Sequence, residues 1–160
     1  MFSVGENIVY PMHGAGMIQA IEMRETPEGK CEYYVLLIPQ NDIRIMIPCS
    51  KAVQVGVRSV IRASEVAGVN ETLRGASTEM AKIWNRRYRD NLEKLKTGQI
   101  RYVAEVVRDL MRVDSEKRLS TGEKKMLSNA KQILISELTL VCGKGEAELN
   151  VLIEKEVMAF

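Results

Sequence analysis

The chain has 160 residues, of which 46% are hydrophobic and 28% are charged, and its formal net charge of +2 is typical of a globular protein with one domain or two small ones. Its N-terminal sequence lacks the regions of a secretory signal and no apolar run could span a bilayer, so we expect a cytoplasmic protein with reduced cysteines. A single histidine excludes a metal site with several histidine ligands, the three widely separated cysteines have no zinc spacing, and there is no phosphate-binding glycine loop. We therefore expect neither an enzyme nor a cofactor or small-molecule ligand.

The first part of the chain has the pattern of short β-strands separated by turns. Ile8-Val9-Tyr10 is a short apolar run, and a second segment runs from Met17 to Arg24, in which Ile21 and Met23 alternate with Glu22 and Arg24 as in a half-buried strand. Thr26-Pro27-Glu28-Gly29 is a turn that joins this strand to Glu32–Ile38 in a hairpin, and a further alternating segment covers Ile43–Ile47. Four or five strands within about fifty residues predict a small Tudor-like or SH3-like barrel.

The apolar residues change to helical spacing after Gly56. Ser64 is placed to cap a first helix that ends at Gly75. The next helix is predicted to begin at residue 79 and to end at residue 96, before a glycine.

Three more helices are predicted in the last sixty residues or so. One begins at Ile100, and a longer one follows Ser120, which forms a capping-box pattern with Glu123 in which each side chain satisfies a free backbone N–H. Residues 146–158 are predicted to form the last helix. The fold class is therefore α+β, with a barrel domain over residues 1–55 and an all-helical domain over residues 56–160.

The most basic segment of the chain surrounds its only tryptophan. Residues 74–101 contain eight basic and three acidic residues, which gives the segment a charge of +5. Within it, Trp84 is followed by Arg86, Arg87 and Arg89. Arginine neutralises phosphate, and an aromatic side chain can stack on a base or wedge into a base step. These four residues are therefore candidate DNA contacts.

The same tryptophan also belongs to a row that is typical of a buried helix face. Met80, Trp84, Tyr88, Leu92 and Leu95 recur at helical spacing, and the basic residues could form a merely solvated face. Each step of four residues drifts by about 40°, so one end of the row leaves the core. From the pattern alone, burial of Trp84 is the favoured interpretation.

Several segments, in order along the chain, resemble the CarD/CdnL family of bacterial transcription regulators. The first half is also similar to the polymerase-binding module of the transcription-repair coupling factor, whose helicase motor is absent here. The segments that carry the resemblance are Val9-Tyr10-Pro11-Met12-His13-Gly14-Ala15, Glu32-Tyr33-Tyr34-Val35-Leu36, Val55-Gly56-Val57-Arg58, Trp84-Asn85-Arg86-Arg87-Tyr88, Val103–Leu110 and Leu119–Met126.

The resemblance implies two partners, the β subunit of RNA polymerase and promoter DNA at the upstream edge of the −10 element, with stabilisation of the open promoter complex as the result. It implies that Trp84 is a wedge in the minor groove, which reverses the core interpretation. It also implies that Arg86, Arg89 and Lys124 approach the DNA backbone. Independently, Lys124 lies in the first turn of a capped helix, where free N–H groups attract phosphate.

The resemblance further implies a polymerase-binding surface on the first domain. Arg24 matches a basic family position, and we assign Arg44 and Met46 to the same surface. A family pattern has arginine where this chain has Met46, so the polymerase contact is expected to be weaker or made differently. We expect the chain to act as a monomer when bound. Two rival hypotheses are a free-standing architectural DNA-binding protein and a protein-only adaptor without DNA contact.

Overall fold

A computed structural model describes residues 1–159 and has an antiparallel sheet followed by helices, so the α+β fold class is confirmed. The sheet has the strand order β4-β3-β2-β1-β5 and is open rather than closed into a barrel, with β4 and β5 at its edges. The turn at residues 26–29 joins two strands as predicted. The strands are β1 (Asn7–Tyr10), β2 (Gly14–Thr26), β3 (Gly29–Ile38), β4 (Ile43–Pro48) and β5 (Arg58–Ser59).

The strands bury one apolar face, as their alternating sequences require. Tyr34 lies at its centre between its cross-strand partners Ile21 and Ile47, and its hydroxyl accepts a hydrogen bond of 3.1 Å from the backbone N–H of Phe2. The fully or almost fully buried side chains of this core are Ile8, Ile18, Tyr34, Leu36, Ile38 and Ile47.

Five α-helices follow within the described residues, and they bury a second apolar core. None of them is both long enough and apolar enough to cross a membrane. The predicted ends near residues 75 and 96 are observed. The helices are α1 (Val66–Arg74), α2 (Trp84–Lys96), α3 (Ile100–Glu116), α4 (Thr121–Cys142) and α5 (Glu146–Met158).

Two helix starts differ from the prediction. Ser64 does not cap α1, because it lies within a 3₁₀ turn in which the Glu65 carboxylate accepts a hydrogen bond of 2.7 Å from the N–H of Arg62. Helix α2 begins at Trp84 rather than at residue 79. The preceding segment is held instead by α3, since Thr78 N–H donates to Asp109 at 3.1 Å.

The sheet packs directly against the helices. Helix α4 covers the start of β2, where Ser136 Oγ accepts a hydrogen bond of 2.9 Å from the N–H of Ala15. Met12, in the turn before β2, packs against the helical core. The boundary between residues 55 and 56 stays a prediction, and the pairing of Arg58 and Ser59 with β1 favours residue 59 as the last residue of the sheet.

Candidate nucleic-acid interface

Trp84 is the first and most exposed residue of the part of the predicted apolar row that lies in α2, while Met80 is half-buried before the helix begins. Exposure decreases along α2, from 55% for Trp84 to 1% for Leu95, with Tyr88 and Leu92 half-buried between them. The row drifts around the helix, and Trp84 is also the first residue of α2, beyond the part that packs in the core. A large aromatic ring is therefore presented to solvent at the start of a helix.

Arg86 and Arg89 are exposed and lie one turn apart on the same helix. Within residues 1–159, neither forms an ion pair with an acidic residue. Several of the surrounding basic residues are neutralised locally, whereas Arg86 and Arg89, like Lys82 and Arg101, form no ion pair within the described residues and remain cations for an external anion. The neutralised residues are Arg74 with Glu156 at 2.8 Å, Lys94 with Glu105 at 3.6 Å and Lys96 with Glu93 at 3.4 Å.

Arg87 is placed differently from its two neighbours. Its side chain is buried, and its Nε and Nη2 donate to the two carboxylate oxygens of Glu123 at 2.5 and 2.7 Å. The hydrogen bonds from Arg87 lower the pKa of Glu123 more than burial raises it, and the same carboxylate raises the pKa of Arg87. The DNA contact of Arg87 stays a prediction, and this geometry disfavours it.

The ion pair joins the start of α2 to the start of α4. Ser120 caps α4 by accepting a hydrogen bond of 3.3 Å from Glu123 N–H, and its hydroxyl donates to the Glu123 carboxylate at 3.0 Å. A Cβ atom at Gly122 would lie 3.6 Å from the Tyr88 ring, so the two helix starts are in close contact. Lys124 is exposed in this first turn of α4. Trp84, the exposed arginines of α2 and Lys124 are thus presented by two adjoining helix starts.

The three predicted polymerase contacts lie on one face of the sheet. Arg24 is opposite Cys31, Met46 opposite Val35 and Arg44 opposite Leu37. These β3 partners are separated by even numbers of residues, so the three side chains point to the same side, away from the Tyr34 core. All three are exposed, and Arg24 forms a surface ion pair with Glu22 at 2.9 Å. Arg44 and Met46 belong to the edge strand β4.

Comparison with known proteins covers both parts of the chain. A family model described as "CarD-like/TRCF RID domain" matches residues 2–61, and one described as "CarD, C-terminal domain" matches residues 68–154. The chain belongs to the CarD family. It is also 44% identical over 150 residues to the protein named "Putative transcription factor YdeB" of Bacillus subtilis (strain 168). The aligned residues cover 94% of this chain and 98% of that protein. This CarD-family chain is a transcription regulator.

Two features of the interface of this CarD-family protein were not predicted from its sequence. One is the ion pair of Arg87 with Glu123, which joins residues 36 positions apart. The capping-box pattern singled out Glu123, but it indicated a backbone partner only. The other is Ile83, which is 64% exposed beside Trp84 and extended at the start of α2. The one signal for its position in the sequence is that it directly precedes the tryptophan.

Proposed function

We propose that this CarD-family regulator binds the β subunit of RNA polymerase through its sheet and promoter DNA through the starts of α2 and α4. The DNA contact lies at the upstream edge of the −10 element, and its result is a more stable open promoter complex. The observation that carries this proposal is the exposure of Trp84 at 55% beside Arg86 and Arg89, neither of which pairs with an acidic residue within residues 1–159. An aromatic wedge flanked by cations matches the chemistry of a distorted minor groove.

Trp84 supplies the preference for opened DNA. A side chain that fits between unstacked base pairs has a partner in melted or kinked DNA and none in the closed duplex. A ligand shifts an equilibrium only by its difference in affinity for the two states. The wedge therefore stabilises the open complex.

Arg86, Arg89 and Lys124 supply attraction without sequence specificity, because contacts with phosphate position a protein but do not read bases. Three such cations give weak binding to DNA alone at physiological salt. Attachment to polymerase raises the local concentration at the promoter, so the two weak contacts act jointly.

The polymerase contact is assigned to the outer face and free edge of the sheet. Edge strand β4 presents unpaired backbone groups, to which a strand of a partner can add. Arg24 and Arg44 add positive charge at this side of the sheet. Met46 adds only apolar surface, so we assign the contact at its position to packing rather than to an ion pair.

Footprinting on one promoter, with and without polymerase, tests the proposal against its rivals. We expect protection at the upstream edge of the −10 element only when polymerase is present. Equal protection without polymerase would favour a free-standing architectural protein. Binding to polymerase with no change in the footprint and no salt-sensitive DNA binding would favour a protein-only adaptor.

The substitution Arg24→Glu is expected to weaken binding to the β subunit without altering the fold, because outward-facing charges on strands contribute little to stability. Binding of the full chain to the purified β subunit measures the effect. Lys30→Glu is the matched control, since it makes the same charge change in the same hairpin on the opposite face. Equal loss of binding in both variants would show an unspecific charge effect.

Arg86→Ala and Arg89→Ala are each expected to weaken promoter binding by a similar factor for all sequences. Each should also lower the slope of log affinity against log salt by about one, since each removes one phosphate contact. A titration at several salt concentrations measures this slope. Lys96→Ala is the control, because Lys96 is on the same helix but is paired with Glu93. An unchanged slope in both arginine variants would show that DNA binds at another surface of the protein.

A further inference from the structure

All three nitrogens of the Arg58 guanidinium group donate hydrogen bonds at the junction between the sheet and the helices. Its Nε donates to the Gly98 carbonyl at 3.0 Å, and its Nη1 donates to the Ser59 carbonyl at 3.0 Å. Nη1 and Nη2 also donate to the two carboxylate oxygens of Glu137, both at 2.8 Å. Glu137 is 2% exposed, and one of its oxygens accepts a further hydrogen bond of 2.8 Å from Ile61 N–H.

These partners belong to three separate parts of the fold. Arg58 lies in β5, which pairs with β1 of the sheet. Gly98 follows the last turn of α2, whose other end carries Trp84, and Glu137 lies in α4, whose first turn carries Lys124. One side chain therefore connects the proposed polymerase-binding sheet with both helices of the proposed DNA interface.

The other contacts at this junction are close packing and one hydrogen bond. Met12 packs against the helical core, Pro11 lies close to Gly98, and Ala15 N–H donates to Ser136. Apolar contact is favourable in many orientations, whereas a two-pronged arginine–carboxylate pair is favourable in only one.

We propose that the pair of Arg58 and Glu137 fixes the orientation of the sheet relative to the DNA-binding helices, so that polymerase binding places Trp84 at the promoter. Arg58 is a positioning residue for the joint action of the two partners. The proposal rests on the function proposed above. When two sites are held at the right separation, the second contact is made at high effective concentration, and this advantage is lost when the geometry is not kept.

The test removes the pair without leaving a buried charge. In the double variant Arg58→Met, Glu137→Gln, both charges are absent, and the Gln oxygen still accepts the hydrogen bond from Ile61. Replacement of both partners of a buried pair often has little effect on stability. We expect the variant to bind polymerase alone and promoter DNA alone as the unaltered chain does. We expect the lifetime of open complexes in its presence to fall by about tenfold or more toward the value without the protein.

The orientation is measured directly with spin labels at Glu25 in β2 and Gln132 in α4, both exposed, after the three native cysteines are replaced by serine. The distance distribution between the labels should be narrow in the unaltered chain and broad in the double variant. The matched control is Arg74→Met, Glu156→Gln, which makes the same changes in an ion pair within the helical part. It should alter neither the distribution nor the lifetime.

A narrow distribution in the double variant, or an open-complex lifetime equal to that with the unaltered chain, would overturn the proposal. A lower melting temperature with an unchanged distribution would also overturn it, because Arg58 would then be merely structural. If the unaltered chain does not prolong open complexes, the proposed function fails. The distance distributions then still decide whether the pair fixes the orientation.

Discussion

Trp84→Ala is expected to leave the melting temperature nearly unchanged while removing much of the protein's ability to prolong open promoter complexes. Trp84 is 55% exposed and does not belong to the helical core cluster, so its truncation leaves no cavity. Surface substitutions of this kind usually change stability by less than about 0.5 kcal/mol. A buried tryptophan would instead cost about 3–5 kcal/mol, which lowers the melting temperature of a domain of this size by roughly 10 °C or more.

One thermal melt and one open-complex lifetime assay distinguish these results. Tyr102→Ala is the control, because Tyr102 is also an exposed aromatic residue of a helix but lies on α3, outside the proposed interface. It should change neither measurement. Trp84→Phe should keep part of the effect on lifetime, since phenylalanine is also a wedge residue. A large loss of thermal stability, with activity falling only in proportion to the unfolded fraction, would show that Trp84 is a core residue and not a DNA contact.

The secondary structure of this chain could be predicted because its signals are local. Alternation along residues 21–24 indicated β2, and the period change after Gly56 indicated the helices. Glycines at helix ends and Ser120 at the start of α4 marked boundaries that the structure retains. The exceptions were the starts of α1 and α2; before α2, the polar contacts that hold residues 75–78 come from α3 and leave no mark in the local pattern.

The arrangement of these elements could not be predicted in the same way. The return of β5 to pair with β1 adds the last strand of the sheet, and no alternation in a two-residue strand indicates it; the sheet is open because its end strands β4 and β5 do not pair with each other. Arg87 and Glu123 are 36 residues apart, and Arg58 and Glu137 are 79 apart. An ion pair between residues so far apart in the sequence forms only when the fold brings them together. A basic segment in the sequence therefore does not show which of its arginines is buried in such a pair.

Exposure of Trp84 illustrates the same limit. Its spacing is that of a buried helix face. Whether Trp84 itself is buried depends on how far toward the start of α2 the other helices pack, and the sequence does not show this. The family resemblance favoured the exposed interpretation before the geometry did. The candidate interface therefore follows from two independent arguments, one from matched segments and one from packing.

Arg87→Leu is expected to destabilise the fold by about 3–5 kcal/mol at neutral pH, because it leaves the Glu123 carboxylate buried without its charged partner. Arg89→Leu is the control, because Arg89 lies two residues further along the same helix and is exposed, and this substitution should change stability little. The double variant Arg87→Leu, Glu123→Leu should recover most of the loss, since no buried charge remains. Unfolding in urea measures all four proteins.

The penalty of Arg87→Leu should shrink as the pH falls. In the unaltered chain Arg87 holds the folded-state pKa of Glu123 below its ordinary value of 4.5, so the stabilisation is present above 4.5 and is lost as the pH falls through the folded pKa. In Arg87→Leu, burial without a charged partner raises the pKa of Glu123, so Glu123 becomes neutral at a higher pH than in the unaltered chain and the cost of its buried charge disappears there. Both effects narrow the stability difference in acid. A difference that does not depend on pH would mean that the lost stability comes from packing rather than from the charge of Glu123.

The double variant also decides what Arg87 does at the DNA interface. If Arg87 only holds the starts of α2 and α4 together, removal of the pair leaves the salt dependence of promoter binding unchanged, because Arg86, Arg89 and Lys124 still make the phosphate contacts. If Arg87 leaves Glu123 to bind a phosphate, the slope falls by about one, as for Arg86→Ala. A slope lowered in this way would restore Arg87 to the set of DNA contacts and would show that the ion pair opens when DNA binds.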